Sequence, residues 1–272
     1  MVFLPNVLLE VISDYAEENE LLDWIVPEKI CWDYLSRNPA AIHLLEKNLE
    51  KICWVVLSDN PAAIHLLEKN SEKYWRDLSD NPAAIHLLEK NPEKINWYWL
   101  SSNPAAIHLL EKNPEKIDWS WLSLNQAAIH LLEAEIANAE LENRPYYIDW
   151  DLLSLNPAAI HLLEKNPEKI VWYALSKNPA AIHLLEKNPE KIVWYALSGN
   201  PSAIHLLEKN PDKIDWAWLS GNPAAIHLLE KNPKKINWDE LSRNPAIFKS
   251  SKNDIYNSLY KIQNWIYKLD LL

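Results

Sequence analysis

From Asn81 to Ser102 the chain reads Asn-Pro-Ala-Ala-Ile-His-Leu-Leu-Glu-Lys-Asn-Pro-Glu-Lys-Ile-Asn-Trp-Tyr-Trp-Leu-Ser-Ser, and the stretch returns with few changes along the chain. The histidine in it recurs as His43, His65, His86, His108, His130, His161, His183, His205 and His227, at intervals of 22, 21, 22, 22, 31, 22, 22 and 22 residues. A fixed period of this length means one small unit stacked many times, each unable to bury its apolar face without a neighbour.

The unit reads as two short helices. Asparagine is a strong N-cap, because its side-chain oxygen accepts from the free amides of the first helical turn. Proline in the next position already has helical φ and lacks an amide that would go unpaired. Seventeen of the eighteen prolines fall in the two slots that follow asparagine in the consensus; Pro5 is the exception. Each Asn-Pro therefore starts a helix and stops the one before it, and asparagine's tolerance of the left-handed region suits that double role. The expected helices run two to three turns, too short to persist without tertiary burial.

In the second helix Ala83, Ala84, Ile85, Leu87 and Leu88 form a broad apolar arc, and His86, Glu89 and Lys90 share the remaining face. In the first helix Ile95, Trp97 and Leu100 are apolar, with Trp99. A tryptophan fills the same slot in all ten units, among them Trp54, Trp97, Trp119, Trp172, Trp194 and Trp216, and these six are assigned to the core. A leucine-rich repeat has a similar period, but its strand needs alternating Leu-x-Leu before the asparagine, and Trp97-Tyr98-Trp99-Leu100 does not alternate. The predicted fold is an all-α solenoid of 22-residue two-helix repeats with helical caps.

Three divisions follow: an N-terminal helical cap over 1–26, tandem repeats over 27–248, and a C-terminal capping helix over 249–272. Nine extra residues near 134–142 are good helix formers, and they predict an acidic helical spur. The net charge of −11 is spread through the repeats, which disfavours a general nucleic-acid or acidic-membrane binder. No apolar run is long enough to cross a bilayer, and the first residues carry no basic signal-peptide region. A cytoplasmic protein is expected. Cys31 and Cys53 occupy one slot in adjacent units, about one interhelix distance apart, so free thiols are expected.

Catalysis and metal binding fare poorly. A repeat duplicates each residue along a line, whereas an active site needs different residues converging on one place. One histidine per unit, in a common orientation, does not bring two nitrogens close enough for zinc. A hydrogen-bond ladder from histidine to neighbouring glutamate or asparagine is the expected role. No cofactor is implied, and the chain is expected not to be an enzyme.

Recognition remains. The slot after each tryptophan varies, and Tyr98, Tyr173, Tyr195 and Arg76 are the candidate contacts for a protein partner, because rigid aromatic rings and arginine anchor interfaces at low entropic cost. At the N-terminus Leu4, Pro5, Leu8, Leu9 and Ile12, with the later Leu21-Leu22, resemble the opening of an F-box. That resemblance implies a substrate receptor recruiting a ubiquitin-ligase adaptor; an amphipathic cap explains the same residues. The repeat itself, rich in Asn-Pro, Ile-His-Leu-Leu-Glu and Trp over roughly 27–248, resembles short tandem-repeat proteins of marseillevirus-type giant DNA viruses. The resemblance implies a viral product in host cytoplasm or viral factory, possessing no activity to carry over; a structural viral component is a further alternative.

Overall fold

A computed structural model describes residues 20–70 and 73–249. Leu4, Pro5, Leu8, Leu9 and Ile12, and the closing helix expected beyond Lys249, lie outside these residues. The architecture is an all-α solenoid; among the described residues the one β pairing is an isolated bridge between Leu21 and Phe248.

Each of the first nine units contains a helix led by tryptophan, such as Trp97–Leu100, and one led by isoleucine, such as Ile107–Lys112. The two kinds of Asn-Pro behave differently. Before Pro-Ala-Ala, the asparagine caps as expected: Asn103 Oδ1 accepts from the Ala105 amide at 3.0 Å. The 3-10 turn Pro104–Ala106 then runs straight into the α-helix from Ile107. Before Pro-Glu-Lys, the asparagine does not cap. Asn113 sits at φ −135°, ψ 59° with no side-chain cap, and its Nδ2 donates backward to the Leu109 carbonyl at 2.8 Å. Pro114–Lys116 is a single 3-10 turn, followed by extended Ile117 and Asp118, and the next helix begins only at Trp119. The Trp-led helices are therefore shorter than expected, four to six residues. The left-handed asparagine is also not the rule: among the described residues Asn143 alone has positive φ.

The residue before each tryptophan is the true N-cap. Asn96, Asp118, Asp149, Asp215 and Asn237 accept backbone amides there, while Cys31 and Cys53 hold the slot as free thiols without capping.

Successive units are joined by buried polar ladders. Asn178 is fully buried, and its Nδ2 donates to the carbonyls of Ser154 at 3.0 Å and Asn156 at 3.1 Å in the preceding unit. The same pattern recurs at Asn60, Asn81, Asn125, Asn156, Asn200, Asn222 and Asn244. A second ladder uses the buried serine: Ser176 Oγ donates to the Trp172 carbonyl at 2.8 Å and accepts from the Val193 amide of the next unit at 3.1 Å. Between these rows lie fully buried leucines and alanines, Leu100, Ala106 and Leu110 in the fourth unit. Each buried leucine contributes about 1.5–3 kcal/mol.

Both ladders pass from the tenth unit back to the first. Asn38 Nδ2 donates to the carbonyls of Ser242 and Asn244, each at 3.0 Å, and the Cys31 amide donates to Ser242 Oγ at 2.9 Å. The helices Trp32–Ser36 and Trp238–Ser242 pack together as interior neighbours do. The solenoid closes into a ring of ten units, where an open, elongated stack was expected. The tenth unit lacks an Ile-led helix: after Pro245–Ile247 the chain becomes extended at Phe248. Residues 20–25 take up that place. The Leu22 amide donates to the Ile247 carbonyl at 2.8 Å, the Lys249 amide to the Glu20 carbonyl at 2.6 Å, and Lys249 Nζ pairs with Asp23 at 2.5 Å.

Neighbouring Trp-led helices approach closely through their backbones, whereas neighbouring Ile-led helices stand further apart. Along a closed curve the layer with the shorter step is the inner one. The Trp-led helices therefore line the inside, and the Ile-led helices form the outer layer.

The insertion lengthens one outer helix to Ile129–Glu142, 14 residues against six in Ile107–Lys112. It is not a bare acidic spur. Asn143 turns the chain at φ 51°, and Arg144 grips buried Glu135 with Nη1–Oε1 at 2.7 Å and Nη2–Oε2 at 2.8 Å. These bonds hold the Glu135 carboxyl below the usual range, despite the opposing effect of burial.

The ladder predicts that Asn178→Ala, which removes a cap, strands the Ser154 carbonyl and takes the second of two bonds from the Asn156 carbonyl, costs about 2–4 kcal/mol of unfolding free energy. Asn166→Ala, which loses one bond at a half-buried site, costs about 1 kcal/mol or less. Equal losses in chemical denaturation would contradict the assignment of the two asparagine classes.

Candidate functional site

Besides the capping slot before the tryptophan, three rows differ from unit to unit: the slot after the tryptophan, the slot two after it, and the turn slot between the buried serine and asparagine. All three sit on or at the end of the inner, Trp-led helices, so they share the inner layer. The turn slots contact one another around the ring. Arg37 pairs with Asp59 at 2.5 Å, and Ser102 Oγ donates to Asp80 Oδ1 at 2.6 Å.

The structure gathers the four predicted contacts into two groups. In units three to five, the Arg76 guanidinium lies 5.7 Å from the ring centre of Trp99, and Tyr98, Trp99 and Trp121 pack on each other at 4.6–5.5 Å. In units seven to nine, Tyr173 and Tyr195 lie 5.6 Å apart, and the Lys177 ammonium sits over Tyr173 at 4.3 Å and Trp218 at 4.5 Å. Tyr98 and Tyr195 are nearly half exposed, at 46% and 48%; Tyr173 is more covered, its hydroxyl accepting from Lys177 Nζ at 2.6 Å. Ser120 and Asp151 separate the two groups in the same row.

Trp99, Trp121 and Trp218 were missed as surface residues. The signal was available: they stand two places beyond the invariant tryptophan, where other units carry tyrosine, valine, leucine, alanine or acid. The invariant tryptophans pack against the core but are not sealed within it. Lysines of the following Pro-Glu-Lys turn cover several of them, as Lys116 covers Trp97 at 4.5 Å and Lys235 covers Trp216 at 4.3 Å. Lys29 covers Trp238 at 4.9 Å, carrying this ladder across the ring closure as well.

Charge is unevenly placed on the variable face. Units two and three bring Asp59, Asp77 and Asp80 together; Arg37 pairs with Asp59 and Arg76 with Asp77. Burial pushes the Asp80 carboxyl above its ordinary value, with Asp77 adding to the effect and Ser102 and Arg37 opposing it. Asp59 is also raised, first by burial, against the pull of Arg37. In the same rows of units seven to nine Lys177 is the one charged residue, and unit ten carries Asp239, Glu240 and Arg243.

The histidines form an outer ladder. Each Nε2 from His65 to His227 lies 2.6–3.1 Å from a glutamate of the preceding unit, as His86 does from Glu68. His43 meets the ring of Phe248 edge-on at 5.4 Å. Among the described residues no three His, Cys, Asp or Glu side chains group to hold a metal, and no helix is long and apolar enough to cross a membrane. No protein-family model, curated protein or solved structure matches the chain.

A carboxyl raised by folding binds more protons in the folded state, so its contribution to stability falls as pH rises from the ordinary carboxylate range toward the folded value. Asp80→Asn, which keeps the acceptor for Ser102, is expected to raise the melting temperature at neutral pH. The gain should vanish below about pH 4. A lower melting temperature for the variant at neutral pH would contradict the assignment.

Proposed function

We propose that this chain is a non-enzymatic ring scaffold that binds another protein through its variable inner rows. One observation carries the reading: residue choice is nearly constant in the buried asparagine and serine ladders, while aromatic and charged residues change from unit to unit in the rows on the inner, Trp-led helices. Packing explains the constant positions. It does not require Tyr98, Trp99 and Trp121 on one arc and Tyr173, Tyr195 and Trp218 on another.

The chemistry of these arcs suits a polypeptide. Aromatic rings offer large contact area with few rotatable bonds, and they form energetic centres when neighbouring contacts exclude water. The acid-rich arc and the arc bearing Lys177 give the face a polarity that fixes the partner's orientation, since complementary charge contributes more to specificity and association rate than to affinity. A ring also holds its binding residues in place before the partner arrives, which reduces the ordering cost of association.

Affinity capture with mass spectrometry tests the reading, comparing the chain with a variant carrying Tyr98→Ser, Tyr173→Ser and Tyr195→Ser. At least one protein held by the parent chain should be depleted about tenfold or more from the variant, as expected for lost aromatic anchors. An unchanged set of captured proteins, with circular dichroism showing both rings folded, would contradict it.

A further inference from the structure

The chain contains two glycines, Gly199 and Gly221, both in the turn slot of adjacent units. Neither is needed by the backbone. They sit at φ −82°, ψ −6° and φ −81°, ψ −7°, a conformation open to any residue. Glycine here costs conformational entropy; at Gly199 a Cβ would come within 3.3 Å of the Trp218 ring, whereas at Gly221 it would meet only side-chain ends, at 3.4 Å or more. Its effect is to leave space.

That space is a cavity of about 140 Å³ lined by Lys177, Ala196, Gly199, Trp218, Gly221 and Arg243. It is comparable to a cavity that holds one benzene-sized group. With Gly199 lacking a side chain, Lys177 of the seventh unit reaches Trp218 of the ninth. The Lys177 ammonium has three protons; one goes to the Tyr173 hydroxyl, and among the described residues no carboxylate pairs with it. Arg243, at the other end, is paired with Glu240. Two cations and one carboxylate thus border a small cavity floored by an indole, leaving one positive charge and spare N–H donors facing it.

We propose that this cavity is an acceptor site for a carboxylate side chain of an acidic polypeptide segment. The carboxylate takes the free Lys177 donors and the exposed edge of the Arg243 guanidinium, and the acidic residue's methylenes lie against Trp218. A charge-assisted bond in a half-enclosed site is stronger than one at an open surface. The cavity volume limits the guest to one side chain, and the tyrosines beside it supply contacts for flanking residues. The inference rests on the scaffold reading and names the chemistry of one contact within it.

The test measures binding of a fluorescently labelled oligoglutamate peptide to the full chain at low salt, by anisotropy. Two variants, Lys177→Gln and Gly221→Leu, are compared with the parent. Leucine fills the cavity with a residue already used in this slot at Leu124 and Leu155, and an added Cβ would meet only side-chain ends, Glu240 Oε2 at 3.4 Å and Arg243 Nε at 3.5 Å. Saturable binding is expected, weakened about tenfold or more in each variant. Absence of saturable oligoglutamate binding, or equal binding by the folded variants, would overturn the proposal. Free glutamate competing as well as the peptide would overturn the polypeptide assignment. Protein capture that needs the tyrosine row but survives Lys177→Gln removes this site and leaves the scaffold; capture indifferent to the tyrosines removes the scaffold whatever the peptide does.

Discussion

A buried asparagine amide in every unit is the constraint on which the rest of the structure depends. Its oxygen caps the helix of its own unit, and its nitrogen binds carbonyls of the unit before it. An amide sealed from water cannot leave these groups unpaired without a penalty of about 1–3 kcal/mol each. The unit therefore has one permitted pose against its neighbour. Repeating that pose fixes the curvature, and the curvature decides whether the chain stays open or returns to its start.

Here it returns. Open solenoids need terminal units with a polar outer face, because their last interfaces would otherwise be exposed. Closing the ring removes those interfaces, much as a barrel removes the edges of a sheet. The closure is not a plain repeat of the interior contact. Ile247 and Phe248 occupy slots where other units carry alanine and isoleucine, and residues 20–25 dock where an outer helix would lie. The asparagine, serine and lysine–tryptophan ladders nevertheless cross the joint with interior geometry. Ring closure also turns the variable slots into one continuous inner surface instead of a strip with two ends, which is why two separate aromatic groups and two arcs of unlike charge face a common space.

Much of this was legible in the chain. The period, the helical character and the Asn-Pro cap of the Ile-led helix follow from residue type and spacing. So does the histidine–glutamate ladder, because only one polar face remained for His86 and Glu89. The number of units per turn was not legible, because curvature depends on the difference in step between two layers, and no local pattern encodes that difference. The invariant serine was invisible as a linker, since Ser176 bonds its own helix and the next unit at once and looks like ordinary turn composition. The second Asn-Pro misled for a physical reason: Asn113 satisfies a carbonyl behind it, so the helix ahead takes its cap from Asp118. For the face itself, the tyrosines could be named from variability, and Trp99, Trp121 and Trp218 shared that signal, but it says nothing of which side of a four- or five-residue helix faces inward. The purpose of Gly199 and Gly221 emerged only from their ordinary φ and the empty volume beside them.

The most direct test of ring closure is a distance across the joint. Spin labels at Asp33→Cys and Asp239→Cys, with Cys31→Ser and Cys53→Ser, place probes on exposed slots of the first and tenth units. Labels at Ala217→Cys and Asp239→Cys report one interior step for comparison. The ring predicts the same separation for both pairs, although 206 residues divide the first and 22 the second. An open stack would put the first pair about nine helix spacings apart, roughly 70–90 Å, and that result would contradict the account.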